Sequence, residues 1–558
     1  MPDDQREWPA GEDGDIWDRP VGAETPDGSG DPAALPVPVL EPMPEGEVDA
    51  LSEGDQPWSG APVREARRVR GLNPDGTFRS GRLAGKTMWG ALWVLSWPVM
   101  LESFLNSGVG LTDTLLAAQL PNGTPATDAI GGASYMMWFI GLVIMAVGVG
   151  ATAMISRAMG AGRMAQANAV LGQSLTVAMG LGALVGIVVA VLAPFIGGVL
   201  NLSEDARRLF STYLFVIAWG TPAASALFVL VACARGAGDN IRPLYAMAAR
   251  NVVNIVVSWL LCGADIRLPE WLGGTLLANP SPVRLGVAGI AIGTVAGDIS
   301  GALIVLGMAM SGTWGIRLRA RRLRPHKVTV WRLQRLSIPN FAETAGMWAG
   351  NFILMVIVGG LGAGLIGSHI IAIRIESFSF LPGFAMGTAA ATLAGQYLGA
   401  GRPDLAKRAV WRCTVIGTTL MGLMGLAFAL FNEELVGLLS KQEAHLENAP
   451  FLVFVIGLVQ VPFALAIITR QAMRGAGDVR VVMAITWITT YAVRLPLVLV
   501  CSRLPAWGEA WGWWDLPDAS GVSWGLRGLW IAMCVELLLR GGIFFGRFLH
   551  GGWMRQRV

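Results

Sequence analysis

The chain has 558 residues, of which 53% are hydrophobic and only 15% are charged, and its mean hydropathy is +0.53. These values exclude a water-soluble globular protein of this size, because such proteins carry about 25% charged residues. The formal net charge of +3 gives no indication of a nucleic-acid partner, and we expect none. The composition predicts a polytopic membrane protein.

The N-terminal residues 1–82 differ from the rest of the chain. The first 60 or so are rich in Asp, Glu, Pro and Gly, a composition that cannot bury a core. The following stretch, Arg64 to Lys86, is basic and ends where the first apolar segment begins. We therefore predict that residues 1–82 form a disordered tail, acidic and then basic, on the cytoplasmic side of the membrane.

Apolar stretches that are long enough to cross a bilayer then recur along the chain. They are residues 87–118, 130–157, 168–199, 206–233, 243–263, 286–311, 333–358, 365–397, 408–432, 448–472, 481–501 and 524–548. Arg and Lys are concentrated in alternate loops, so the positive-inside rule places both termini in the cytoplasm. The prediction is an all-α, multi-pass protein of the cell inner membrane with about twelve transmembrane helices.

Three motifs occur twice, in the same order and about 240 residues apart. LSWPVMLES pairs with LSIPNFAET, MGAGRMAQANAV with LGAGRPDLAKRAV, and ARGAGDNIR with MRGAGDVR. The chain is therefore predicted to be an internal duplication, with six-helix lobes at residues 83–312 and 331–550 joined by a basic cytoplasmic linker at 313–330. Since six is an even number, both lobes start on the same side of the membrane and the repeats are parallel.

Polar residues in the first and fifth spans are candidates for ion coupling. Glu102, Asn106 and Asp113 are spaced to share one face of the first helix, and Asn254 and Ser258 share a face of the fifth. An ionised carboxylate that faces lipid is costly, so this face should point to the bundle interior or to a water-filled cavity. There a carboxylate can bind a proton, or Na⁺ with help from neutral oxygens. Alternatively, the two acids lie near the ends of the span and reach water.

The second half carries its own candidates. Glu343 is the repeat partner of Glu102, whereas Glu376 has no acidic counterpart in the first half. This asymmetry favours a role for Glu376 in coupling or in binding substrate charge, with pairing to Arg374 as the structural alternative. For Arg494, on the eleventh span, a structural role is favoured, because an Arg in a span can snorkel or bind a carboxylate.

Two RGAGD segments are glycine-rich but lack the Lys-Ser/Thr end of a phosphate-binding loop. We interpret Arg235 with Asp239, and Arg474 with Asp478, as pairs that close cytoplasmic turns. The five cysteines show no metal-binding spacing, and no motif of a hydrolase or metalloenzyme is present. We predict a protein that is not an enzyme, holds no cofactor and uses H⁺ or Na⁺ as its coupling ion.

Several of these motifs together resemble the multidrug and toxic compound extrusion (MATE) family. They are GLTDT, ESFSFLPGFAMGTAAATL, GQYLGAGRPDLAKR and the paired RGAGD turns, and the similarity covers about residues 85–550. The resemblance implies two six-helix lobes in a V around a central cavity. It also implies export of organic, often cationic, small molecules in exchange for H⁺ or Na⁺ by alternating access. We expect a monomer in the lipid bilayer.

The resemblance also implies a coupling site. Asp113, in GLTDT, corresponds to the first-helix aspartate of the DinF-like branch, which is paired there with an Asn and an Asp on the fifth helix. Asn254 matches that Asn, but Ser258 stands where the Asp is expected. Coupling then uses either Asp113 with Asn254 and Ser258, a Na⁺ site near Asp113 included, or Glu376 and Glu343 in the second lobe.

Two alternatives to antiport follow from the sequence. The first is a lipid-linked oligosaccharide flippase of the same superfamily, which would line its cavity with several basic residues for pyrophosphate. Only Arg250, Arg374 and Arg494 are found in or near spans by this reading. The second is a channel or non-transporting scaffold, which would need neither buried acids nor two mobile halves.

Overall fold

The computed structural model describes residues 72–556, except 74, 80–81, 122, 200–201, 268–275, 362–364, 441 and 503–521. The described part is almost entirely helical, with one short antiparallel pair of strands, β1 (Ile266–Arg267) and β2 (Leu276–Leu277). The acidic stretch of the predicted tail, residues 1–60, lies outside the described residues.

Most successive helices are joined by short connections, as expected for antiparallel neighbours, whereas residues 263–286 and 312–326 form longer ones. The helices are α1 Met88–Ala118, α2 Gly123–Gly160, α3 Met164–Val199, α4 Glu204–Gly236, α5 Ile241–Cys262, α6 Val287–Ser311, α7 Lys327–Leu361, α8 Leu365–Gly399, α9 Pro403–Leu430, α10 Asn432–Leu439, α11 Glu443–Leu458, α12 Gln460–Ala476, α13 Val479–Trp487, α14 Leu495–Ser502 and α15 Val522–His550. A π-helical turn, Ile488–Arg494, joins α13 to α14, and two short 3₁₀ helices lie at Ala320–Leu323 and Gly552–Arg555.

Eleven helices in the described ranges are long and apolar enough to cross a membrane, counting α13 to α14 as one. Helices α11 and α12 qualify together as a twelfth span that is bent by 59°. The predicted all-α membrane architecture with about twelve spans is therefore confirmed. The span predicted at 448–472 lies within this bent pair, which begins at Glu443, breaks at Val459 and ends at Ala476.

Other predicted spans were shorter than the helices, because the polar residues at the ends of a helix do not belong to an apolar stretch. Helix α9 begins at Pro403 rather than at residue 408, since the fixed φ of proline suits the first turn of a helix. Helix α4 begins at Glu204, after the N-cap Ser203, whose hydroxyl accepts a hydrogen bond from the Ala206 N–H. Helix α7 begins at Lys327, within the predicted linker 313–330.

The predicted disordered tail extends too far toward α1. Within residues 72–84 the backbone forms bridges between Leu72 and Phe78 and between Phe78 and Ala84. Leu72, Phe78 and Leu83 are almost fully buried, and the Phe78 ring lies 4.8 Å from the ring of Tyr397 in α8. These three apolar side chains, spaced among basic residues, anchor the segment to the bundle.

The described helices bury three apolar clusters, and two of them combine residues from both halves of the chain. Leu92 and Leu95 of α1 pack in a cluster formed mainly by α8, α9 and α12. In the reciprocal arrangement, Leu333 and Leu336 of α7 pack in the cluster of the first half. The first helix of each half therefore crosses to the other half at one end of the bundle.

We call this end, where the RGAGD segments lie, the turn face. Arg157 of α2 and Gln396 of α8 are equivalent residues, 239 apart like the two RGAGD arginines. The Arg157 guanidinium donates a hydrogen bond to the Ala476 carbonyl at the end of α12 (2.9 Å), and the Gln396 amide donates to the Gly236 carbonyl at the end of α4 (3.1 Å). Each half thus caps the last carbonyls of a helix in the other half.

The same contact brings the backbones of α2 and α8 together. A Cβ atom placed on Gly160 would collide with the Gln396 backbone, and one placed on Gly399 would collide with the Arg157 backbone. Backbone atoms cannot move aside as a flexible side chain can, so both positions require glycine. The two halves meet at the turn face by direct helix-to-helix packing of small residues.

We expect Gly160→Ala to lower the free energy of unfolding by about 1–3 kcal/mol, because the added methyl group must push α2 away from α8. Thermal unfolding of the purified protein in detergent measures the change. Gly180→Ala is the matched control, since a Cβ on this helical glycine of α3 would meet no atom within 4 Å. Equal midpoints for wild type and Gly160→Ala would show that the two helices are not in close contact.

Candidate functional site

Asp113 is the most isolated acid in the described interior of the first half. It lies on α1 with 8% of its surface exposed, and its Oδ1 atom is buried without a hydrogen-bond partner. Arg250 and Thr294 are the groups that interact with the carboxylate electrostatically. Of the two readings from the sequence, the structure supports the one in which this acid faces the bundle interior.

The polar residues of α5 are used for packing against α6. The Asn254 amide donates to the Thr294 hydroxyl (3.0 Å), and the Ser258 hydroxyl donates to the Ile290 carbonyl (3.2 Å). Thr294 therefore links Asn254 to the neighbourhood of Asp113. Ser258 is fully buried and its hydroxyl is directed to the α6 backbone, so we see no role for it as a substitute for a carboxylate.

Arg250 is neutralised by an acid that the sequence analysis did not single out. Its Nε atom lies 2.6 Å from Oδ1 of Asp298 on α6, and its Nη1 donates to the Asn251 side chain. The Asn251 amide in turn donates to Asn106 of α1 (3.3 Å). A chain of polar contacts thus runs from α6 through α5 to α1. It leaves Asp113 as the buried acid without an ion pair among the described residues of this half.

Glu102 is not part of that chain. Both of its carboxylate oxygens accept hydrogen bonds from Nη2 of Arg235, at 2.7 and 2.8 Å, at the end of α4. In the second half, Glu343 accepts from Arg474 at the end of α12, with Nη2 at 2.7 Å. Each acid is buried and each pair joins the first and fourth spans of its half, so these are equivalent structural ion pairs.

The predicted pairing within each RGAGD turn is therefore wrong. The turns close through the backbone, where the Asp239 N–H donates to the Ala234 carbonyl and the Asp478 N–H donates to that of Met473. The Asp239 carboxylate pairs with Arg242, and Asp478 pairs with Arg547 of α15. Burial raises the pKa of Asp478 above its ordinary value, while the hydrogen bond from Arg547 opposes this rise.

Glu376 of α8 is only partly exposed, and no ion pair within 4.0 Å joins it to Arg374 in the described part of the chain. The closest cation in electrostatic terms is Arg494. The structural alternative for Glu376, pairing with Arg374, is not found. The structure does not bring Glu376 to Asp113. No contact joins them among the described residues, and the cation near Asp113 is Arg250 whereas the one near Glu376 is Arg494.

Arg494 forms the centre of a buried network, in agreement with the structural role inferred from the sequence. Its Nη2 atom lies 2.8 Å from Oε2 of Glu536 on α15, and its Nη1 donates to Asn351 of α7 (2.9 Å). Glu536 is fully buried and also pairs with Arg540 at 2.6 Å. Arg540 donates further hydrogen bonds to Thr489 and Thr490 in the π-helical turn.

The reading of the sequence overlooked these partners and therefore counted too few interior arginines. Arg470, Arg474 and Arg540 lie inside the second half together with Arg494. Two signals were available: Asp298 interrupts an apolar span, and Glu536 is followed four residues later by Arg540, the spacing of an ion pair within a helix.

Comparison with known proteins identifies the family. The MatE family model matches residues 98–260 and again residues 339–500, together more than half of the chain. The chain belongs to the MatE family. The double match also confirms the internal duplication, because one model fits both halves at the separation of the repeated motifs.

Relatives of this MATE protein are transporters. A probable multidrug resistance protein NorM of Thermotoga maritima is 25% identical over 472 residues, which cover 83% of the present chain and 93% of that protein. A crystal structure of MATE in complex with MaL6 matches with a TM-score of 0.72 and 18% identity, covering 84% of the chain and 98% of that one. A MOP superfamily transporter from Pyrococcus furiosus, described as having a binding pocket of reverse polarity, matches with a TM-score of 0.71, 18% identity and coverage of 84% and 97%.

These findings show a multi-pass membrane transporter and not an enzyme. They exclude the non-transporting scaffold among the alternatives drawn from the sequence.

The network around Glu536 yields a stability prediction. Glu536→Gln should lower the free energy of unfolding by about 3–5 kcal/mol, because Arg494 and Arg540 would remain buried without their counter-ion. Thermal unfolding in detergent measures the loss. Glu204→Gln is the control, since its ion pair with Arg208 joins side chains that are 67% and 74% exposed, and such pairs contribute about 1 kcal/mol or less. Similar effects of the two substitutions would contradict the role given to Glu536.

Proposed function

We propose that the protein exports small organic molecules in exchange for H⁺ or Na⁺, by alternating access between its two halves. The observation that carries the proposal is Asp113, a buried carboxylate with an unpartnered oxygen and no ion pair. Such a carboxylate is costly when ionised in an apolar bundle, and a bound proton or cation offsets that cost. The acids with arginine partners, Glu102 and Glu343, are already compensated and are less suited to binding an ion reversibly.

The coupling site that we propose consists of Asp113 with Asn254 and Thr294. Ser258 is left out because its hydroxyl bonds to the α6 backbone. Asn106 contributes indirectly, since it binds Asn251 next to Arg250. When Asp113 gains or loses its ion, the balance of charge between Asp113, Arg250 and Asp298 changes. This change at the contact of α1, α5 and α6 is a means by which ion binding can alter helix packing.

The energy of one ion is sufficient for this work. One cation that enters down a potential of 100 mV releases about 2.3 kcal/mol. A tenfold gradient of an uncharged solute costs about 1.4 kcal/mol. One ion per cycle can therefore maintain an appreciable gradient if the substrate itself moves little charge. No cofactor is required.

The proposed movement occurs at the turn face. There the halves are held by exchanged helix caps and by close backbone contacts at Gly160 and Gly399, which can separate as rigid surfaces. The basic residues Arg163, Arg317 and Arg402 lie at this end, and we propose that it faces the cytoplasm in the inner membrane. The unit is proposed to be a monomer in the lipid bilayer.

A lipid-linked oligosaccharide flippase is the second candidate. The observation that favours it is the group of four arginines in the second half, more than the sequence suggested. The same arginines make four ion pairs within 4.0 Å with Glu343 and Glu536. A flippase would transport its lipid without a drug-evoked ion flux, so flux measurements separate the two candidates.

Asp113→Asn should abolish drug-evoked ion uptake into proteoliposomes, because the amide cannot take up a proton and binds Na⁺ weakly. Uptake is measured with separate H⁺ and Na⁺ gradients for an organic substrate that the wild type exports. Glu376→Gln should retain coupled flux, and Asp128→Asn, at an exposed carboxylate of α2, is the matched control. Coupled flux that survives in Asp113→Asn but is lost in Glu376→Gln would place the coupling site in the second half.

A further inference from the structure

Four arginines converge inside the second half, on helices that surround the middle of α7. They are Arg470 and Arg474 on α12, Arg494 at the end of the π-helical turn and Arg540 on α15. The side chains are 6–12% exposed, so all four are largely shielded from solvent. A buried guanidinium is costly unless carboxylates or other acceptors compensate it.

The carboxylates in this region do not compensate all four. Glu343 is used by Arg474, at 2.7 Å, and by the Thr486 hydroxyl, at 3.0 Å. Glu536 is used by both Arg494 and Arg540, so one negative charge serves two positive ones. Glu376 adds one more acid near Arg494 but makes no ion pair among the described residues. Even with Glu376 counted, three carboxylates face four guanidinium groups.

The excess positive charge is localised at Arg470. Its Nη1 atom is 3.7 Å from Glu343, longer than a hydrogen bond, and its Nε atom is buried without a partner. The acceptor closest to Nη1 is the thioether sulfur of Met347, at 3.4 Å. A thioether is a weak acceptor and carries no charge.

Arg540, on α15, approaches the same sulfur atom of Met347. Its Nη1 atom lies 3.8 Å from the Met347 sulfur, so two like-charged guanidinium groups meet across one uncharged atom. Two like charges at this separation repel each other. An oxyanion beside Met347 would receive hydrogen bonds from both groups and would remove the repulsion.

The arrangement occurs in one half only. At the offset of 239 residues that relates Arg235 to Arg474, Arg470 corresponds to Val231, and α6, the last span of the first half, contains no arginine. The first half has retained the structural ion pair Glu102 with Arg235 but has neither of these arginines. The positive pair is thus an addition to the shared framework.

The surroundings of the pair suit the body of an organic molecule. Met347 and Arg470 are partly exposed, whereas Arg494 and Arg540 are buried, so the accessible side is the one that α7 and α12 line. Next to Met347, the ring of Trp348 stacks on Phe352 at 5.7 Å and lies 5.9 Å from Phe139 of α2, in the other half. Aromatic faces provide apolar contact area beside the two cations.

We propose that Arg470 and Arg540 form a binding site for the oxyanion group of an organic substrate, a carboxylate, sulfonate or phosphate attached to an apolar body. This assignment rests on the proposed transport function, since it names the chemistry of the exported molecule. It gives the second half a substrate role and leaves ion coupling to Asp113 in the first. The specificity comes from the fork-shaped donor of Arg470, which can bind an oxyanion with parallel hydrogen bonds, together with the Nη1 group of Arg540. The other nitrogens of Arg540 are already bonded to Thr489, Thr490 and Glu536.

Binding of 2-naphthalenesulfonate to the purified full-length protein tests the site, with 2-naphthyltrimethylammonium as the cation of the same shape. Isothermal titration measures both without any ion gradient. Arg470→Gln and Arg540→Gln should each weaken sulfonate binding at least tenfold and leave binding of the ammonium compound unchanged or tighter. Arg470→Lys, which keeps the charge but loses the fork-shaped donor, should bind the sulfonate more weakly than wild type and more tightly than Arg470→Gln.

The matched control is Arg527→Gln, on the same helix as Arg540. Arg527 lies over the ring of Phe451 and has a buried Nε without a partner, so it resembles Arg470 in burial but is remote from Met347. Its replacement should not alter sulfonate affinity. Equal sulfonate affinity in wild type, Arg470→Gln and Arg540→Gln would overturn the proposal.

Wild-type protein alone provides a second test that does not depend on the folding of a variant. Inorganic sulfate and benzenesulfonate should compete with naphthalenesulfonate, and tetramethylammonium should not. Failure of both anions to compete would overturn the site. If only phosphatidylglycerol vesicles displace the probe, the site serves a lipid phosphate, and the assignment to a soluble organic anion is wrong.

The proposed anion site and the proposed coupling mechanism can be refuted independently of each other. Asp113→Asn should lose coupled flux and still bind the sulfonate with wild-type affinity. Arginine-dependent binding in a protein without coupled flux would retain the site and remove the antiport mechanism. Coupled flux without arginine-dependent binding would support the antiport mechanism and remove the anion site.

Discussion

The structure depends on how charge is held inside an apolar helix bundle. Each buried acid in the described interior must be compensated by a guanidinium, by a hydrogen-bond donor or by a reversibly bound ion. Lipid and apolar side chains cannot stabilise its charge. Glu102, Glu343 and Asp298 have fixed partners, and they fasten helices to one another. Asp113 makes no ion pair among the described residues, and its Oδ1 atom has no hydrogen-bond partner. In the mechanism that we propose, acids with permanent partners form the framework, and the acid that binds an ion reversibly performs the coupling.

Duplication supplied the framework twice and then allowed the halves to diverge. The Glu–Arg pairs that join the first and fourth spans are equivalent, as are Arg157 and Gln396, which cap helices across the boundary between the halves. Beyond this common part the interior charges differ in sign. An unpaired carboxylate is found in the first half, whereas the second half contains more guanidinium groups than carboxylates. Two equivalent compartments have thus acquired opposite electrostatic character.

Much of the fold could be predicted from the sequence, because a bilayer imposes a strong and simple pattern on composition. Twelve apolar stretches and three repeated motifs were sufficient for the number of spans and for the duplication. The bend at Val459 was not predicted, because the apolar stretch continues through it, although Gly457 and Pro462 lie on either side of the break and proline is a common cause of a kink. The anchoring of Leu72 and Phe78 was hidden by the basic residues around them, which are also typical of an unstructured tail.

The sequence identified several residues of the candidate site, but it did not identify the residues with which they interact. Spacing along α1 identified Asp113, but helical periodicity says nothing about residues on other helices. From the sequence, Arg235 was therefore predicted to pair with the nearby Asp239. In the structure its partner is Glu102, 133 residues away. Ser258 was expected near an ion because of its position on α5, and tertiary packing gave its hydroxyl to a backbone carbonyl instead. The spacing of residues along a helix identifies candidate site residues, whereas the tertiary structure determines which residues they contact.

The exchange of first helices between the halves has a consequence for biosynthesis. Leu92 and Leu95 of α1 pack beside Leu393 of α8, which leaves the ribosome about 300 residues later. At about 5–20 residues per second, α1 waits about 15–60 s for that partner. The wait costs little, because lipid tails solvate leucine as well as protein does. The turn face is therefore assembled only after insertion of α8, and a first half produced alone would lack one wall of it.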